Sequence, residues 1–161
     1  MGYMNPVLQF GFEKFCQRAA ETGIDGLILP DLPPFEYENE YKAIVEKNKL
    51  DLIFLVTPET TDERIIMLDQ LSTGFLYAVS SSSTTGSGKN PATMESYLKR
   101  LSRLHLKNPV LVGFGIGDKT AFDIACRHAG GAVLGSAYIK TLGSAEKPDA
   151  ATKRFVSSIL G

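Results

Sequence analysis

Five short runs of apolar residues, each leading into a turn and then a segment of helical spacing, restrict this chain more than any other feature. They occupy residues 26–30, 52–56, 74–80, 109–113 and 131–134 of a 161-residue sequence. A strand with one wet face alternates apolar and polar side chains. These runs are apolar almost throughout, the pattern of parallel strands covered by helices. Helical spacing appears at 13–22, ahead of the first run, and follows the runs at 35–48, 62–70, 94–104 and 119–129, with a terminal helix near 149–160. Residues 1–11 contain Gly-Tyr-Met-Asn-Pro and no complete strand, so they read as the tail of a strand and the loop behind it. The class is therefore α/β. Five βα units without a dinucleotide fingerprint favour the (β/α)8 TIM-barrel type, here a partial barrel forming one domain over residues 1–161, with a site built from the loops that follow the strands.

The most informative of those loops lies in Val110-Leu111-Val112-Gly113-Phe114-Gly115-Ile116-Gly117-Asp118-Lys119-Thr120. Apolar residues run into alternating glycines and then into a helix start. Glycines at that place let the backbone approach a ligand, and N–H groups at helix N-termini attract anions, so a phosphate site and a plain tight turn are the two readings. Two similar stretches, Thr85-Gly86 and Gly135-Ser136, follow other strands, and the three together favour phosphate. The run Ser81 to Gly88 reads either as a flexible linker or as a lid contacting phosphate. Asp31, directly after a strand, suits a general acid or base by position, but before Leu32-Pro33-Pro34 it suits a turn or helix cap better. Tyr77, Ile28, Leu55, Phe114 and Val133 are candidates for an apolar pocket wall or for ordinary core.

With 17 basic and 18 acidic residues the net charge is −1, and no basic cluster marks a nucleic-acid or anionic-membrane partner. No apolar run reaches the ~20 residues of a membrane span, and no signal-peptide pattern opens the chain, which places it in the cytoplasm. Cys16 and Cys126 lack metal or redox spacing and read as buried or semi-buried free thiols, and His105 and His128 likewise lack ligand spacing. No metal is expected.

In order and spacing, Asn5-Pro6, Gly26-Leu27-Ile28-Leu29-Pro30-Asp31-Leu32-Pro33, Phe75-Leu76-Tyr77-Ala78-Val79-Ser80, Thr85-Gly86, Val112-Gly113-Phe114-Gly115-Ile116 and Gly135-Ser136-Ala137 resemble the tryptophan synthase alpha chain family over nearly the whole sequence. The resemblance implies a (β/α)-barrel that cleaves indole-3-glycerol phosphate to indole and glyceraldehyde 3-phosphate, without a cofactor of its own, docked to a beta subunit that carries pyridoxal phosphate. It implies that Gly86, Gly115, Gly135 and Ser136 hold the substrate phosphate. It sets Tyr77, Thr85 and Phe114 beside the indole-glycerol part, with Tyr3, Ile28, Leu55 and Val133 as further wall. Ser81 to Ser83 depart from the family pattern, which often has an arginine and a glycine there. A barrel of this type takes about 250 residues, and this chain is about 90 shorter. By the same resemblance Met1 falls near the end of strand three. The family's catalytic Glu and Asp lie before that point, and Asp31 aligns with neither, so no catalytic residue is assigned here. The alternative is a non-catalytic half-barrel that binds a phosphate ligand or docks to a subunit. Strand edges near 26–30 and 131–134 are expected to favour self-association.

Overall fold

The computed structural model describes residues 1–79, 91–113, 115–143 and 147–161. Ser81, Ser82, Ser83, Thr85, Gly86 and Phe114, assigned above to the lid, phosphate and wall, lie outside the described residues. Among the described residues no helix is long and apolar enough to cross a membrane. The chain divides into two compact units, one of Met1–Val56, Thr60–Tyr77 and Lys107–Pro109, the other of Thr57–Glu59, Ala78–Leu106 and Val110–Gly161.

The first unit opens with a helix, α1 (Met4–Phe10), where the sequence predicts a loop. The helix is nucleated from a distance: both carboxylate oxygens of Asp31 accept the Met4 N–H at 3.0 Å, while Met4 and Val7 are buried one turn apart. Gly11, at φ 93°, turns the chain into α2 (Phe12–Glu21). There Phe12, Cys16 and Ala19 recur at the spacing of one buried helical face. Strand β1 (Gly26–Ile28) follows. The helix predicted over residues 35–48 is interrupted: α3 (Pro34–Glu36) and α4 (Lys42–Lys47) flank a π-helical turn, Tyr37–Tyr41. Within this region the Asn39 side-chain amide donates to the Phe35 carbonyl at 2.7 Å and competes with the regular backbone pattern. Outside packing holds both tyrosines, with Tyr37 edge-on to Phe54 at 5.5 Å and Tyr41 against Phe12 at 4.3 Å.

The strand predicted over residues 52–56 splits into β2 (Asp51–Ile53) and β3 (Leu55–Val56). Its amides show why. The Phe54 N–H donates to Ser72 Oγ at 3.0 Å and the Leu52 N–H to Thr73 Oγ1 at 2.9 Å, so hydroxyls behind α5 (Asp62–Leu71) take bonds that a continuous ladder would use. Strands β1 and β2 are parallel, with Gly26 opposite Asp51 and Ile28 opposite Ile53. β3 lies beside β4 (Leu76–Val79), whose Tyr77 N–H donates to the Phe54 carbonyl at 3.0 Å. Gly26 has no room for a side chain, because a Cβ there would stand 3.0 Å from both Asp51 Cβ and Ile53 Cδ1.

In the second unit the strand order is β4, β5 (Val110–Gly113), β6 (Gly131–Ala132), the last two parallel with Leu111 opposite Gly131. β6 is shorter than the predicted 131–134, although the Val133 N–H still donates to the Val112 carbonyl at 2.7 Å. The helices are α6 (Pro91–Ser102), α7 (Lys119–His128), α8 (Ser136–Leu142) and α9 (Pro148–Leu160). Asp118 caps α7 by accepting the Ala121 N–H at 2.9 Å. α8 packs on α9 through Tyr138, whose hydroxyl shares a 2.9 Å hydrogen bond with Thr152 and whose ring lies 5.4 Å from Phe155. Glu95 of α6 meets His128 of α7 at 3.3 Å.

Candidate functional site

In the first unit, alternation along the strands sorts the candidate wall from the core behind it. Leu27, Leu29, Leu52, Phe54, Val56 and Leu76 are buried, while Ile28 and Leu55 between them are half-buried, on the opposite face of a period-two strand. Tyr77 occupies the corresponding position of β4 and is buried, its ring 6.2 Å from Phe75. Burial raises the Tyr77 phenol above its ordinary pKa, so it stays a neutral hydroxyl. Tyr3 lies just before α1 and is 67% exposed. These four are side chains of the kind that line an apolar pocket with one polar handle. Asp31 is committed elsewhere: with both oxygens on the Met4 N–H it fixes the start of α1. Of the readings open in the sequence, the cap is the one seen, though for a helix 27 positions away rather than for its own turn.

In the second unit, the turn after β5 and the start of α8 approach each other. Gly115 adopts φ 82°, a conformation that favours glycine. A Cβ on Gly117 would meet Ala137 Cβ at 3.9 Å, which sets the glycine turn within van der Waals reach of the first turn of α8. Gly135 is the N-cap of α8, no side chain caps that helix, and a Cβ on Gly135 would meet nothing within 4 Å. Among the described residues, nothing comes within 4 Å of a side chain placed at the helix start. The first N–H groups of any helix lack intrahelical acceptors, so Ser136 and its neighbours present backbone donors and a hydroxyl at the positive end of the helix. No basic residue lies in the first turn of α8, so an anion there would be held by backbone groups. Val133, 38% exposed, follows β6 one turn before these groups.

Cys16 is buried, and desolvation pushes its thiol up to about 11, leaving it an inert packing residue. Cys126, expected to be at least half-buried, is exposed because it falls on the outer face of α7, opposite Ile124 and Ala125. Among the described residues no three His, Cys, Asp or Glu side chains cluster as metal ligands. Two groupings escaped the sequence. Asp69, Ser72 and Asn108 form a largely buried polar network in the first unit, while Tyr97 and Arg100 share one face of α6 in the second, with Arg103 just past its end. Only the second left a trace, as donors spaced three apart in a helical segment.

The family model described as tryptophan synthase alpha chain matches residues 1–159. The tryptophan synthase alpha chain of Flavobacterium johnsoniae is 52% identical over 160 residues, 99% of this chain and 62% of that protein. That of Bacteroides thetaiotaomicron is 44% identical over 152 residues, 94% of this chain and 59% of the relative. Among solved structures, the tryptophan synthase A-subunit of the hyperthermophile Pyrococcus furiosus aligns with a TM-score of 0.84 at 34% identity, covering 99% of this chain and 64% of that one. A structure described for the tryptophan synthase α2β2 complex of the same organism aligns at 0.82 and 34%, with the same coverage. This chain thus spans about three fifths of the length of the curated relatives it matches. The shared barrel fold, the family match over residues 1–159 and the identity to these relatives establish that the chain belongs to the tryptophan synthase alpha chain family.

Proposed function

We propose that this chain supplies the phosphate-holding loops and the apolar wall of a carbon–carbon lyase that cleaves indole-3-glycerol phosphate to indole and glyceraldehyde 3-phosphate. The observation that carries this reading is the approach of the Gly115–Gly117 turn to an open, uncapped start of α8 at Gly135 and Ser136. Backbone N–H groups at Gly115, Gly135 and Ser136, with Gly86 from the preceding loop, hold the phosphate. Ile28, Leu55 and Tyr77, with Tyr3, Thr85, Phe114 and Val133, border the indole-glycerol part. Fixing the phosphate at one end restricts the remaining substrate to a single orientation against the wall, which is the positional part of catalysis.

Retro-aldol cleavage also needs a group to take a proton and one to give it. Asp31 is tied to the Met4 N–H by both oxygens, which suits holding α1 rather than moving a proton. The family's Glu and Asp, supplied by the strands before those present here, fill that role, each contributing about 10² to 10⁴-fold. The reaction needs no cofactor in this chain. The partner is a beta subunit carrying pyridoxal phosphate, as the α2β2 relative suggests. Among the described residues β1 and β6 are each paired on one side, and such edges favour self-association, which sedimentation at micromolar concentration tests: a clean monomer contradicts it.

The decisive test is indole release from indole-3-glycerol phosphate. The chain alone is expected to give no family-like turnover, and an added fragment carrying the remaining strands is expected to restore it. Turnover by the chain alone that disappears in Asp31→Asn would overturn the assignment and make Asp31 the base. Inorganic phosphate is expected to shift the amide resonances of Gly115, Gly135 and Ser136.

A further inference from the structure

The helix α8 is short, and none of its residues, Ser136–Leu142, is buried, so no core-facing side chain fixes its direction. Packing against α9 supplies what burial does not. Tyr138, half-buried in the first turn of α8, sets its ring 5.4 Å from Phe155 and its hydroxyl 2.9 Å from Thr152 Oγ1. Thr152 and Phe155 are three apart and share one face of α9. The direction of the hydrogen bond follows from a second one beside it. Thr152 Oγ1 lies 2.7 Å from the Pro148 carbonyl, which can only accept, so the threonine proton is used there and the Tyr138 O–H donates to Thr152. Two bonds in series therefore run from the start of α8 to the start of α9.

The far end of α9 is tied to the glycine turn on the other side of the same loops. Lys119, which opens α7 two positions after Gly117, donates from Nζ to the Ile159 carbonyl at 3.4 Å, alongside Asp123 at the same distance. α9 itself is seated by Ala151 and Ile159, both buried. It thus spans the two backbone segments whose N–H groups face the proposed phosphate. Tyr138 stands two residues after Ser136, within one helical turn, so a tilt of α8 about the Tyr138 contact changes where the Gly135 and Ser136 N–H groups point. Hydrogen bonds weaken steeply as their angle and distance depart from the optimum. We propose that Tyr138 is a positioning residue, which by donating to Thr152 holds the first turn of α8 at the angle that lets Gly135 and Ser136 meet a phosphate. This inference rests on the phosphate assignment made above, and Tyr138 acts through α8 without touching the substrate.

Titration of the whole chain with inorganic phosphate, read at the amide resonances of Gly135 and Ser136, tests this beside urea unfolding of the same variants. Tyr138→Phe keeps the ring on Phe155 and removes the donor, and Thr152→Val removes the acceptor at nearly constant shape. Each is expected to weaken phosphate binding about tenfold, the upper range for one hydrogen bond. The double variant is expected to lose no more than either single one, because both delete the same contact, and Thr152→Ser, which keeps the hydroxyl, to retain the native affinity. A clasp that serves only the fold would lower the urea midpoint and leave the affinity unchanged, and that result overturns the proposal, as does additive loss in the double variant. Should Tyr138→Phe disturb α8 itself, the contrast between Thr152→Val and Thr152→Ser decides the same question. The two readings fail in different ways. Absence of a saturating shift in the unaltered chain removes the phosphate assignment and this inference with it, whereas normal binding in both the unaltered chain and Tyr138→Phe removes this inference alone.

Discussion

Asp69 in the first unit and Tyr97 in the second are both buried polar side chains, 1% and 5% exposed, yet their polar atoms are treated in opposite ways. Asp69 accepts the Lys107 N–H at 2.6 Å, the Asn108 N–H at 3.0 Å and the Asn108 side-chain amide at 3.0 Å. That amide also reaches the carbonyls of Asp69 and Ser72, so the network closes on itself and fastens α5 to the segment before β5. Among the described residues the Tyr97 hydroxyl has no hydrogen-bond partner. A closed network holds a fold, whereas a buried donor left unsatisfied adds nothing to it. The glycines repeat the contrast. Gly26 is walled in by Asp51 and Ile53, and Gly135 faces nothing within 4 Å.

The comparison breaks first at Asp69. Asp69→Ala strands the Lys107 and Asn108 backbone N–H groups and is expected to cost roughly 3 kcal/mol in urea unfolding, with the loss spread over the network rather than confined to one bond. If stability holds within error, the network is ornamental. Next, Gly26→Ala forces a methyl to about van der Waals overlap with Asp51 and Ile53 and is expected to lose about 1 to 3 kcal/mol. Tyr97→Phe removes a hydroxyl that bonds nothing, so its stability change is expected to lie within about 1 kcal/mol and on the favourable side. A loss as large as that at Asp69 would mean the two sites do not differ. Gly135→Val fills only open space and is expected to change stability by no more than about 0.5 kcal/mol while removing the phosphate response at Ser136.

The smallest effect concerns Glu95, whose carboxyl is held below the usual range first by the hydrogen bond from Lys99 and then by that from His128. A lowered folded-state pKa contributes stability above the unfolded value and loses it as pH falls through the folded value. The acid limb of the stability curve should therefore become slightly flatter in Glu95→Gln, and an unchanged limb would remove the pair from the account. Its exposure keeps the effect slight.

The sequence by itself determined much of what depends on neighbours a few residues apart. The apolar runs became strands, with the run at 52–56 split in two, most of the helices appeared where their spacing set them, with α1 and the π-helical turn at Tyr37–Tyr41 as exceptions, and Asp118 caps α7 as its place before Lys119 requires. Gly115, Gly135 and Ser136 were singled out by their places after strands, and Ile28 and Leu55 by their apolar positions within them; that they hold a substrate is a proposal. Only the tertiary structure decided what each polar group meets. Asp31 found the Met4 amide 27 positions away, and Asp69 found Lys107 and Asn108 across 38 and 39. The hydroxyls of Ser72 and Thr73 interrupted the strand at Phe54. The Tyr97 hydroxyl was left without an acceptor. Periodicity and capping are local and survive in a string of letters. A buried donor is satisfied or stranded according to which distant backbone is folded against it, and no spacing rule within a helix encodes that.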